Sequence, residues 1–81
     1  MNIQEFCQQL AEILDIEQVK PEDTLEDFEQ WDSLAVLSVL AMVDSRYKVT
    51  IAAKDVRSAV TAGDLARLVE AKQSAAKSVN A

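Results

Sequence analysis

Ser33 is the side chain with the most chemistry open to it. It follows Trp31-Asp32, at the point where an acidic stretch gives way to the apolar run over residues 34–43. Three roles fit a serine there. It can cap or open a helix, since Asp-Ser before an apolar helix is an ordinary start signal. It can be a nucleophile, which needs a base within hydrogen-bond reach. The chain has no histidine, so a Ser-His-Asp arrangement is excluded, and no Ser-x-x-Lys motif includes Ser33. It can also be modified covalently. A phosphodiester on a serine at a helix N-terminus lies beside unsatisfied backbone N–H groups and the positive end of the helix dipole, although Asp32 opposes it locally. These arguments leave modification open without ranking it above the cap.

The remaining reactive types offer less. Cys7 is the only cysteine, so no internal disulfide and no cysteine-based metal site can form. It falls on an apolar stripe with nothing basic nearby to lower its pKa, so a buried, inert thiol is expected. Glu17, Glu22, Asp23, Glu26, Asp27, Glu29 and Asp32 crowd residues 16–32, but they lack the alternating ligands, central glycine and terminal glutamate of a calcium loop. No metal site and no catalytic residue is assigned, and the chain is read as not an enzyme.

Eighty-one residues make one domain with a limited core. One glycine, one proline and four aromatics, among many Ala, Leu, Glu, Gln and Lys residues, favour helices. Lys20 stands alone against ten carboxylates in residues 1–32, whereas seven Lys and Arg face four carboxylates in residues 33–81. An acidic first third argues against nucleic acid, whose phosphates need basic patches. It suits basic protein partners, or solubility alone. No signal-like segment opens the chain and no apolar run reaches spanning length. A cytoplasmic monomer that binds neither membrane nor nucleic acid is expected.

Periodicity places the elements around Ser33. Ile3, Phe6, Cys7, Leu10, Ile13 and Leu14 share one face of a first helix over residues 2–15, with Asn2 as its cap. Residues 16–32 form a long loop, broken by Pro21 and anchored by Leu25, Phe28 and the more weakly placed Ile16 and Val19. The second helix spans residues 33–45. Val36, Val39, Leu40, Val43 and Tyr47 make its core stripe. Leu34, Leu37, Ser38, Ala41 and Ser45 make a second stripe, and a helix apolar on both sides is buried or displays a binding surface. Because full burial is hard in so small a bundle, Leu34, Leu37 and Ala41 are read as a partner-facing surface. Val49 and Ile51 turn into the core, and residues 52–58 make a short third helix with Val56 and Ala59 inward. A strand at residues 47–51 is rejected for want of a partner strand. Thr61-Ala62-Gly63-Asp64 has capping-box spacing and opens a last helix, with Leu65, Leu68 and Val69 on its apolar face. It is expected to fade near Lys72 or Gln73, leaving residues 74–81 as a flexible tail on a domain of residues 1–73.

Taken in order along residues 2–72, these features resemble the acyl carrier protein family, whose members attach phosphopantetheine. The resemblance is carried by the amphipathic first helix, Pro21-Glu22, Thr24-Leu25 and Phe28 in the loop, Asp32-Ser33-Leu34, then Tyr47, Ile51 and Thr61-x-Gly63-Asp64-Leu65. It implies an all-α, small four-helix bundle of acyl-carrier type, with the long loop between helices 1 and 2 and a short third helix. It implies that Ser33 takes a 4′-phosphopantetheine arm from a phosphopantetheinyl transferase using coenzyme A, with Asp32 assisting. The arm then carries an acyl or aminoacyl thioester, loaded by a ligase and passed to downstream synthases or transferases, while Leu34, Leu37, Ala41 and Trp31 dock partners. Two departures stand out. Gln30-Trp31 replaces the small residue usual before Asp-Ser-Leu in carriers of fatty acid synthesis. Ala35, Ser38 and Ala41 stand where such carriers have second-helix carboxylates, with Asp44 the only acid. Both suggest a specialised polyketide, nonribosomal peptide or similar pathway. Trp31 is read first as a brace from loop to bundle and second as a partner contact. The other reading of the chain is a non-carrier interaction module that uses the apolar second helix.

Overall fold

The backbone of residues 2–80 and the side chains of residues 2–74 are described by a computed structural model. Four α-helices follow one another: α1 Ile3–Leu14, α2 Ser33–Met42, α3 Ala53–Ser58 and α4 Ala62–Asn80. Among the described residues there is no strand, only an isolated antiparallel bridge between Thr24 and Thr61. The expected bundle with its long first loop and short third helix is the fold observed.

α1 starts as its sequence dictates. The Asn2 side chain accepts from the N–H groups of Gln4 and Glu5 at 2.9 and 3.3 Å, satisfying donors that no helix can satisfy itself. It ends at Asp15 in the left-handed region, φ 57°, a conformation Asp tolerates better than most residues. Phe6, Cys7, Leu10 and Leu14 are buried as the periodicity predicts. Ala11 is buried with them, and Ile3 is exposed. Burial pushes the Cys7 thiol above its ordinary value, helped by the carboxylates of Asp23 and Glu22, so the thiol is held neutral.

The inward stripe of α2 holds at Val36, Val39 and Val43, which are buried, and more loosely at the half-buried Leu40 and Tyr47. Past Met42 the helix widens into a π-turn, Val43–Tyr47, that stops at Lys48 with φ 58°. Tyr47 stacks obliquely on Phe6, with ring centroids 5.9 Å apart. Its hydroxyl is buried without a hydrogen-bond partner among the described residues. Val49 and Ile51 are buried, and Val56 anchors α3 with no exposed surface. Ala35 was placed in neither stripe of α2, and it is 6% exposed. It lies next to the core stripe on the helix wheel, where a small side chain lets α2 pack closely.

The loop over residues 16–32 is tied to the start of α4 by backbone bonds. Leu25 donates to the Val60 carbonyl at 2.9 Å, Ala62 to Asp23 at 3.0 Å and Gly63 to Pro21 at 2.8 Å. A Cβ on Gly63 would stand 3.0 Å from the Pro21 carbonyl oxygen, close enough that the strap would have to give by a few tenths of an ångström. Leu25 is fully buried and begins a 3₁₀ turn, Leu25–Asp27. The acidic stretch is thus a pinned strap with carboxylates outward.

α4 corrects one boundary. It was expected to fade near Lys72 or Gln73, yet its backbone stays helical to Asn80. Ala75, Ala76 and Lys77 are strong helix formers, and no glycine or proline interrupts them. The flexible tail expected at residues 74–81 falls, after Ser74, outside the residues whose side chains are described.

Candidate functional site

Asp32 and Ser33 divide two jobs at the start of α2. Asp32 is the N-cap, extended in backbone, and its Oδ1 accepts from the Ala35 N–H at 2.9 Å. Its carbonyl accepts from Val36 at 3.0 Å. Ser33 is therefore the first residue inside the helix rather than its cap, and its side chain is exposed. The N–H groups of Ser33 and Leu34 keep no acceptor among the described residues, so this helix end retains its capacity for an anion.

The Ser33 hydroxyl opens on a groove of about 570 Å³ lined by Glu26, Trp31, Asp32, Ser33, Val36 and Arg57. Arg57 was not among the expected site residues. Its Nη2 donates to Ser33 Oγ at 3.3 Å, at the long end for such a bond. Val56 fixes this placement. Fully buried, it sets the rotation of α3, and the next residue projects from the helix surface toward the start of α2. Inward Val56 was legible in the sequence, but the crossing of α2 and α3 that turns its neighbour toward Ser33 was not.

The other expected site residues fall into two groups. Leu34 and Leu37 are 71% and 59% exposed, and Ala41 is exposed on the same stripe. Trp31 is half-buried against the core and also walls the groove, so the brace expected of it is present. Val60, 59% exposed, is a large exposed apolar side chain that periodicity did not single out. Among the described residues, no group of three or more His, Cys, Asp or Glu side chains is placed to hold a metal ion, and no helix is long and apolar enough to cross a membrane.

An exposed hydroxyl at the start of a helix, beside a cation and backbone N–H groups with no acceptor among the described residues, is open to covalent modification. The family model for phosphopantetheine attachment sites matches residues 4–69, and the chain belongs to that family. It has the fold of the solution NMR structure of a holo acyl carrier protein from Geobacter metallireducens, with a TM-score of 0.76 at 22% sequence identity, over 94% of this chain and 90% of that one. No curated protein matches the chain. The protein is thus a carrier and not an enzyme, and it works with a phosphopantetheinyl transferase and with biosynthetic enzymes. Its prosthetic group is covalently attached 4′-phosphopantetheine, which supplies a terminal thiol able to hold a thioester. The residues around Ser33 fit that group: an accessible oxygen to esterify, unpaired N–H donors beside it, and Arg57 within reach of the same oxygen.

Proposed function

We propose that Ser33 is the attachment point, and that the chain is a discrete carrier of an acyl or aminoacyl thioester. The observation that carries this reading is the separation of cap from hydroxyl. Asp32 holds the helix end, so the Ser33 side chain is not needed for structure and stands exposed. Attachment forms a bond from Ser33 Oγ to phosphorus and breaks the pyrophosphate bridge of coenzyme A. Adenosine 3′,5′-bisphosphate leaves, and the hydroxyl proton passes to the transferase. Asp32, next to the reacting oxygen, assists the transferase. A tethered thioester then meets each partner at high effective concentration without dissociating.

The docking surface in this reading is the outward stripe of α2, Leu34, Leu37 and Ala41, with Trp31 at its edge. Exposed leucines on a helix that carries no acid before Asp44 suit partners that grip apolar surface. That favours a specialised pathway of polyketide, nonribosomal peptide or related type, with a ligase loading the arm and a synthase or transferase unloading it. The carrier unit is residues 1–73, residues 74–81 are its tail, and the setting is cytoplasmic. Intact mass after incubation with coenzyme A and a broad-specificity transferase tests the attachment. One added phosphopantetheine on the wild type and none on Ser33→Ala is the expected result. Folded wild type left unmodified by several transferases overturns it.

A further inference from the structure

Among the described residues the cation beside the serine has no carboxylate at ion-pair distance. Arg57 is exposed on α3, and the only ion pair among the described residues is Arg67 with Asp64. Glu26 and Asp32 line the same groove, yet neither reaches Arg57 at ion-pair distance. The hydrogen bond from Nη2 to Ser33 Oγ engages a small part of a guanidinium, which offers five donors in a planar fork.

We infer that Arg57 is the anchor for the phosphate of the arm: once Ser33 Oγ is esterified, its guanidinium bonds the non-bridging oxygens of the phosphodiester. This rests on the Ser33 attachment proposed above. The oxygen that Arg57 already contacts becomes the bridging oxygen, and the new anionic oxygens lie two bonds from it, across the phosphorus. A contact from a cation to a neutral hydroxyl turns into one from a cation to an anion, in which the planar fork of arginine matches phosphate geometry. The anchor is also needed electrostatically. Glu26 and Asp32 both face the groove and repel a phosphodiester, and Arg57 is the one basic side chain lining it. Held on the α3 side, the first bonds of the arm leave Ser33 away from the exposed stripe of Leu34 and Leu37, so that stripe stays open to a partner.

The test compares apo and loaded forms of wild type, Arg57→Gln and Arg57→Lys. Loading is verified by intact mass, melting is followed at low and high salt, and the Arg57 Nε–H resonance is followed by NMR. Arg57 is exposed, so the substitutions leave the fold intact, and the apo melts check this. Loading should raise the Tm of wild type relative to Arg57→Gln by about 1–6 °C, the range for one exposed charged contact in a domain of this size. Arg57→Lys should keep part of the gain, and high salt should erase it. The Nε–H resonance should move on loading. Equal responses to loading in wild type and Arg57→Gln, with that resonance unmoved, overturn the inference. Slower loading of Arg57→Gln with an equal response once loaded also overturns it, and makes Arg57 a contact for the transferase. Wild type that does not load at all sinks the Ser33 attachment, and this inference with it. Full loading of every variant without the Tm difference sinks the Arg57 role alone.

Discussion

The starts of α2 and α4 use the same two ingredients, a hydroxyl and a carboxylate, in opposite arrangements. At α4 the hydroxyl comes first. Thr61 Oγ1 accepts from the Asp64 N–H at 3.1 Å, and the Asp64 carboxylate accepts from the Thr61 N–H at 3.3 Å. Both groups are occupied, half-buried, and clamped further by Gly63 against Pro21. At α2 the carboxylate comes first. Asp32 caps the helix, and the hydroxyl moves one residue on, into solvent, where among the described residues its side-chain hydrogen bond is from Arg57. A hydroxyl used as a cap is unavailable for chemistry, whereas one placed just behind an acidic cap is free. The order of two residues thus separates a structural helix start from one able to carry a group.

Substitutions can break this contrast. The largest effect is expected at the clamped end. Gly63→Ala forces a Cβ against the Pro21 carbonyl oxygen, and because that oxygen is held by the Gly63 N–H itself, the strap must shift. Urea denaturation should show a loss of about 1–3 kcal/mol, the usual range for overpacking, which outweighs the helix propensity gained from alanine. A smaller effect is expected from the caps. Thr61→Ala and Asp32→Ala should each cost about 1 kcal/mol by the same measurement, whereas Asp32→Asn, which keeps an accepting side-chain oxygen, should stay close to wild type. The smallest effect is the most informative. Ser33→Ala should change stability by no more than about 0.5 kcal/mol. A loss as large as that of Asp32→Ala would mean that Ser33 is itself a structural cap, and the contrast would collapse.

Much of this was legible in the chain. Alternating spacings of three and four placed the buried face of α1 and separated the two stripes of α2, because a helix packed on one side leaves a period that sequence preserves. The Thr61 to Asp64 cap was legible because both partners lie within one turn. Four features were not. Arg57 reaches Ser33 only through the crossing of α2 and α3, which depends on how Val36, Val39 and Val56 pack and on no local pattern. Ala35 was placed in neither stripe because alanine carries little hydropathy, yet its small size suits a close helix contact. The end of α4 was placed early because small and polar residues resemble a frayed terminus, although alanine and lysine also extend helices. The strap from Pro21 to Leu25 was seen as a pinned loop, but its backbone bonds to Val60, Ala62 and Gly63 are long-range and leave no mark on side-chain type.

The central claim is that the prosthetic group sits on Ser33 and on no other hydroxyl. Fragmentation mass spectrometry of the loaded wild-type protein tests it most directly, since Ser38, Ser45, Thr50 and Ser58 are alternative acceptors in the same chain. The account predicts that fragments containing Ser33 carry the whole added mass and that those beginning at Leu34 carry none. Added mass on fragments that lack Ser33 would contradict it.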